Sequence, residues 1–199
     1  KTGSVSWDKG YELAAEGLKT ASENAGKAWA IASASMTNEE LFLFKKLTQK
    51  LGITNVAVMA APDVAPLDFP GIKAPADGNA NRYGVQIVLG VNDCEASVKA
   101  FADACAKGEV EHAFVWSSLP HGIEQLEVVM RALGSEKLTN VVAVDFKRSL
   151  LTSLASVTLP TTTYVETAGS WVNHELHLQA FRAALRHPRE GRVGVELLQ

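Results

Sequence analysis

The chain has 199 residues, 47% of them hydrophobic and 21% charged, with a formal net charge of −3. That is apolar enough for a sizeable core, and too weakly basic to carry the electrostatic footprint of a nucleic-acid binder. No apolar run approaches the ~18 residues that cross a bilayer as a helix. The two cysteines, Cys94 and Cys105, are too few for a disulfide framework and make no CxxC pair. A tetrahedral zinc site or an iron–sulfur cluster held by these residues alone is therefore not expected, and the thiols read as reduced and at least half-buried.

The first residues, Lys1-Thr2-Gly3-Ser4, are polar and lack a methionine, which points to a piece of a longer polypeptide. Residues 8–23 read as a helix, with Ser6 or Asp8 as cap and Tyr11, Leu13, Ala14, Ala15 and Leu18 on its apolar face. Asn24-Ala25-Gly26 ends it, and the apolar run 28–32 is a buried strand. Thr37 or Asn38 then caps a helix to Leu51. Glu39 and Glu40 sit in its first turn, where the helix dipole favours negative charge. Leu41, Phe44, Leu47 and Leu51 are its expected buried face, and Gly52 stops it. Residues 56–60 form a second strand.

Residues 61–84 differ in kind, holding four of the seven prolines (Pro62, Pro66, Pro70 and Pro75) together with Gly71, Gly78 and Gly84. Proline cannot donate to a ladder, so a long irregular excursion is expected. Beyond it come a helix (93–106), a strand (110–116), a helix (123–133, closed by Gly134), a strand (139–145) and a short strand from Val157. This alternation predicts an α/β fold: a three-layer, Rossmann-like, mostly parallel sheet flanked by helices, in one domain spanning 1–199 with an irregular C-terminal segment from 160.

In such sheets ligands lie beyond the carboxyl ends of the strands. That makes candidates of residues 33–38, 117–121 and 145–149, and of the polar stretch 159–179. The Ser33–Asn38 turn enters a helix N-terminus, which suits phosphate, yet it has no glycine, so helix capping is the favoured reading. Asp145, followed by Phe146, Lys147 and Arg148, reads either as a nucleotide-edge acid or, preferably, as a solvated strand end. His174 and His177 are three apart, so on a helix they would point together towards a metal, with His187 beyond; no cysteine or HExxH partner supports that. No G-x-S-x-G elbow is present. Trp116 and Trp171 read as core or interface aromatics. Within 159–179, Glu166, Gly169, Ser170, Asn173, Glu175 and Gln179 surround a glycine at fixed offsets, the pattern of a shaped loop that holds a ligand or a partner.

Several blocks together resemble the molybdopterin oxidoreductase superfamily, in particular the branch that forms the large iron–sulfur subunit of NADH-quinone oxidoreductase (complex I). Val5-Ser6-Trp7-Asp8 with Ala14-Ala15-Glu16 is similar to the family's VSWDEAL…AEKL entry. Ser35, Thr37-Asn38-Glu39-Glu40 and Leu47 are similar to its TNEE helix. Asp77-Gly78-Asn79 with Asn81-Arg82 and Gly84 is similar to its NxNxxG segment. Leu159, Pro160, Glu166, Gly169, Asn173, Glu175 and Gln179 match its VLP…E..GT..N.EGR.Q stretch, with Ser170 in place of Thr. Ser156 replaces an Asp, Leu176 and His177 replace the Gly-Arg of EGR, and the family's [4Fe–4S] cysteine segment does not occur in these residues.

The resemblance implies descent from a cofactor-binding domain, and the departures argue against a working molybdenum site. It implies a structural or assembly domain with no catalytic residue, no metal ligand and no cofactor of its own. The parent protein would carry iron–sulfur clusters elsewhere and pass electrons from NADH to quinone. Its partners would be other subunits of a cytoplasmic redox arm, joined to the membrane only through them. The alternative is a retained pterin or nucleotide site built from Ser33, Thr37, Glu166 and Asn173. By periodicity residues 174–186 read as one helix, whereas the resemblance implies extended chain near 171–178, and the extended reading is preferred.

Overall fold

A computed structural model describes residues 3–117, 124–186 and 191–198 of the chain. Its centre is a five-stranded, all-parallel sheet with helices on both faces, in the order β2-β1-β5-β6-β7. In chain order the elements are α1 (Trp7–Glu23), β1 (Ala28–Ser33), α2 (Asn38–Lys50), β2 (Asn55–Met59), β3 (Leu67–Phe69), β4 (Ile72–Ala74), α3 (Arg82–Leu89), α4 (Cys94–Lys107), β5 (His112–Ser117), α5 (Glu124–Leu133), β6 (Asn140–Asp145), α6 (Leu150–Leu154), β7 (Val157–Pro160), β8 (Gly169–Val172), β9 (Leu178–Phe181) and α7 (Gly194–Leu197).

The strands are short apolar runs because both of their faces are covered. Along β5, Phe114 and Trp116 join the core under α1 and α2, while Ala113 and Val115 join the core under α4 and α5. Trp116 is fully buried with its ring edge-on to Phe114, as a core aromatic should be. Cys94 and Cys105 are free and buried on α4. Burial pushes both thiols up to about 11, and near Cys94 the acids Asp93 and Asp77 add to the rise while Arg82 opposes it. Neither thiol is a nucleophile near neutral pH.

Three expectations are corrected. Residues 61–84 are not irregular throughout. Pro70-Gly71 turns the chain, with Gly71 at φ 82°, so that Leu67 pairs with Ala74 and Phe69 with Ile72 in an antiparallel hairpin. The last three residues of that range, Arg82 to Gly84, already belong to α3. Residues 174–186 are not a helix: β8 and β9 form an antiparallel ribbon in which Trp171 faces Gln179 and its ring lies 4.2 Å from that of Phe181. Of the extended reading near 171–178, Trp171, Val172 and Leu178 lie in strands, while 173–177 form a tight turn between them. Asp145 is not a solvated strand end but is buried.

The ribbon turns at 173–177 through the side chain of Asn173, whose Oδ1 accepts the N–H groups of Glu175 (3.0 Å) and His177 (2.8 Å). Closing this turn forces Leu176 to φ 63°, the left-handed region where a side chain with a Cβ is strained. The position where the resembled family carries glycine is thus one whose backbone wants glycine. Leu176→Gly should relieve strain of about 1–2 kcal/mol against an entropic cost of ~0.5–1 kcal/mol. Urea denaturation should show the variant more stable than the parent by about 0.5 kcal/mol.

Candidate functional site

In a doubly wound sheet the crevice lies where successive connections depart to opposite faces. Here that point is between the neighbouring strands β1 and β5, since α2 follows β1 on one face and α5 follows β5 on the other. The residues at the mouth are therefore Ser33 to Thr37 and Ser117. The rest of the 117–121 candidate loop, and His187, lie outside the described residues.

The N-terminus of α2 opens into this crevice, and a helix N-terminus is the ordinary cradle for a phosphate. Its own residues crowd it. Thr37 Oγ1 accepts the N–H of Glu40 (3.2 Å), and Glu40 Oε2 accepts the N–H of Thr37 (2.8 Å), a complete capping box. Glu39 reaches the other way: Oε1 and Oε2 accept from the hydroxyl (2.8 Å) and the N–H (2.9 Å) of Ser170 on β8. Asn38 Nδ2 also donates to Ser170 Oγ, at 3.1 Å.

Asn81, fully buried at the head of α3, locks this arrangement. Its N–H donates to Ala34 O, its Nδ2 to Met36 O (2.8 Å) and Asn38 Oδ1 (3.0 Å), and its Oδ1 accepts from Val172 N (2.8 Å). One amide thus ties the β1–α2 turn, α3 and the late ribbon together, with each of its hydrogen-bonding atoms engaged.

Two glycines permit this closeness. A Cβ on Gly169 would lie 2.7 Å from Thr37 Cγ2, so the ribbon could not otherwise descend onto the helix end. A Cβ on Gly194 would overlap the Glu40 carboxyl and come within 2.7 Å of Trp116 Cζ2. Gly194 belongs to a strap that begins beside Thr161, where Arg192 N donates to Pro160 O, and ends in α7 against α2. Arg192 also lies over the rings of Trp7 (4.9 Å) and Tyr11 (5.6 Å), clasping α1.

Ribbon, strap and capping carboxylates leave a cavity of about 20 Å³ lined by Ser35, Thr37, Glu40, Thr162, Thr167 and Trp171. That is room for one water, whereas cofactor pockets run to roughly 300 Å³ or more. A hollow of about 320 Å³ lies instead beyond β2, lined by Asp63, Arg82, Asp93, Cys94 and Glu95 among others. It lies off the switch point. Arg82 there is spent on Ala61 O (2.9 Å), Asp63 (2.9 Å) and Asp77, whose Oδ1 is 3.1 Å from Nε but outside hydrogen-bond geometry. With three carboxylates on its wall it does not suit a phosphate.

The four candidate residues are not brought to one site. Ser33 and Thr37 share the β1–α2 turn, where the buried Ser33 hydroxyl accepts the N–H of Ser35 (3.1 Å). Glu166 caps its own loop, accepting from the N–H (2.9 Å) and hydroxyl (2.8 Å) of Thr163. Asn173 shapes the ribbon tip. Asp145 likewise turns inward, to Phe146 N (2.8 Å) and the Ser149 hydroxyl (2.9 Å), with its carboxyl raised by burial against the pull of those bonds. His174 and His177 are both exposed on the ribbon turn, His177 beside Glu175 (3.4 Å). No group of three or more metal-capable side chains occurs among the described residues.

The residues that organise the front are Glu39, Glu40, Asn81 and Ser170. The resemblance blocks contain all four, and only their long-range pairing is hidden in the sequence. No family model matches the chain, and no curated protein matches it.

Two outcomes follow from this geometry. Asn81→Asp can still accept from Val172 but cannot donate to Met36 O and Asn38 Oδ1, so calorimetry or urea denaturation should show a loss of about 3 kcal/mol. The Glu40 carboxyl is held above its ordinary 4.5, first by burial and further by the charge of Glu39, with the Thr37 bonds opposing. A folded-state value above the unfolded one means that ionisation opposes folding. Glu40 therefore costs nothing below about 4.5, and its cost grows as pH rises from there through the raised value. Glu40→Gln keeps an oxygen for Thr37 N–H. Across pH 4–8 its stability should rise relative to the parent as pH increases and level off above the raised value; a flat difference would show that burial does not perturb this group.

Proposed function

We propose that this chain is a non-catalytic framework domain in a subunit of a multi-subunit redox complex of the NADH-quinone oxidoreductase type. In this reading it descends from a cofactor-binding domain of the molybdopterin oxidoreductase superfamily and binds neither pterin nor nucleotide. It packs on neighbouring subunits in a cytoplasmic arm, and the iron–sulfur clusters that carry electrons from NADH to quinone are held elsewhere. Any membrane association is made by partner subunits; no helix among the described residues is long and apolar enough to cross a membrane.

The observation that carries the reading is the filled crevice. At the position where a doubly wound sheet binds its ligand, Glu40 folds back on Thr37, Glu39 holds the β-ribbon through Ser170, and the space left at the helix N-terminus is that of one water. A second observation supports the ancestry. The sequence blocks that carry the resemblance are far apart in the chain, at 37–40, 81–84 and 169–170, yet their residues meet in one hydrogen-bonded junction. A framework retained after its ligand was lost would keep such a junction, because it is what closes the front of the sheet.

The test is to purify the parent protein in its native assembly and to measure its metals and pterin. Iron, with NADH-oxidising iron–sulfur subunits as co-purifying partners, is the expected result. Stoichiometric molybdenum or tungsten, or pterin fluorescence released from this polypeptide, would overturn the cofactor-free reading. Recovery of the parent free of any redox subunit would overturn its place in such a complex.

A further inference from the structure

The two outer edges of the β8–β9 ribbon are treated differently. Ser170 and Val172 aim their N–H groups away from β9, at Glu39 Oε2 and Asn81 Oδ1, while the N–H of Asn173 points across to His177 O (3.1 Å). Direction alternates residue by residue in an antiparallel pair. The residues opposite Val172 and Ser170 are Leu178 and Ala180, so their N–H and C=O groups aim outward from the far edge of β9. No described residue takes them up, and the strand is exposed from Leu178 through Ala180.

An unpaired edge is a template for another strand, and folded proteins ordinarily blunt it with lysine, proline or a bulge. The sequence Leu178-Gln179-Ala180-Phe181 has none of these. Its surroundings are apolar and out in solvent: Leu176 is 64% exposed, Leu178 69% and Leu185 61%. Leu176 is also the one described non-glycine residue at positive φ, and a strained, exposed leucine contributes nothing to the fold that glycine would not. Beyond the strand, Arg182 and Arg186 are exposed and make no ion pair among the described residues. Leu176 and Leu178 flank the start of the edge, and Arg182 and Arg186 follow it in a chain that is net negative.

We propose that the outer edge of β9 docks an extended segment of a partner protein, which adds to the ribbon as a third strand. Its backbone pairs with Leu178 and Ala180, its apolar side chains lie on Leu176 and Leu178, and its acidic side chains meet Arg182 and Arg186. The inference rests on this edge alone and holds whether or not the parent complex is a redox enzyme.

Amide hydrogen exchange by NMR on the full chain tests it, with two synthetic probes: a blocked peptide of alternating valine and threonine flanked by glutamates, and the same core flanked by lysines. The glutamate-flanked probe should slow exchange at Leu178 and Ala180 and leave Gln179 and Phe181, already bonded within the ribbon, unchanged. Arg182→Glu combined with Arg186→Glu should weaken that probe roughly tenfold and favour the lysine-flanked one. Ala180→Pro deletes an outward N–H without touching an internal bond, and should abolish binding in a protein whose melting temperature is retained. Absence of protection with either probe overturns the proposal, as does equal protection by both. Protection that grows with protein concentration in the absence of peptide assigns the edge to a second copy of the chain and overturns the partner.

Discussion

The front of this molecule is organised by one electrostatic problem: the N–H groups and positive dipole end of α2 at the switch point of a parallel sheet. Most such sheets bring an anionic ligand to that place. This chain brings its own carboxylates. Glu40 turns back on Thr37, and Glu39 turns outward to Ser170, so the two acids of one helical turn serve opposite sides of the same end. Each further contact at the front presupposes this choice. The ribbon is low enough to be caught by Asn81 because Gly169 rests on Thr37, and the strap closes over Glu40 because Gly194 has no Cβ.

Burying a carboxyl to this degree is tolerated because hydrogen bonds and the helix end offset part of its desolvation, not all of it. The residual cost falls on the ionised form. A ligand phosphate would have faced the same helix end from the solvent side without displacing Glu40 from water. The arrangement thus leaves little room at the helix end and carries a standing electrostatic penalty. Asn81 shows how the shape of this end is kept: four hydrogen bonds at one residue join three separate segments.

How much of this is legible in the sequence depends on range. The parallel sheet, its apolar strands, the α2 cap and the buried thiols are written locally, in runs of four to six apolar residues or in Thr37 and Asn38 ahead of a helical pattern. Of those two cap candidates the structure uses Thr37, and Glu40, read only as an acid of the first turn, completes a capping box. α3 and α6 are not written that way. α3 has a glycine inside it and no side-chain cap, and α6 spans five residues, so periodicity has too little length to register and tertiary packing decides. Residues 174–186 do carry a helical apolar spacing. Asn173 defeats it by capturing two following N–H groups and turning the chain back. Asp145 reads as solvated because nothing local reveals that its bonds run to the loop after it. Ser33, Thr37, Glu166 and Asn173 carry polarity beside a strand end, and each spends that polarity on its own turn.

Backbone satisfaction differs between the strand edges of this structure. The end of β7 is met by the strap, through Pro160, Thr161 and Arg192. The inner edge of the ribbon is met by Glu39 and Asn81. At the ribbon, side chains from distant segments answer the N–H groups of Ser170 and Val172, and Gly169 lets the strand come close enough. The far edge of β9 received no such treatment, although a single lysine at Gln179 or Ala180, or a proline at Ala180, would have blunted it at little cost to the fold. An edge left bare beside Leu176, Leu178 and Leu185 is the one that the proposed partner strand would cover.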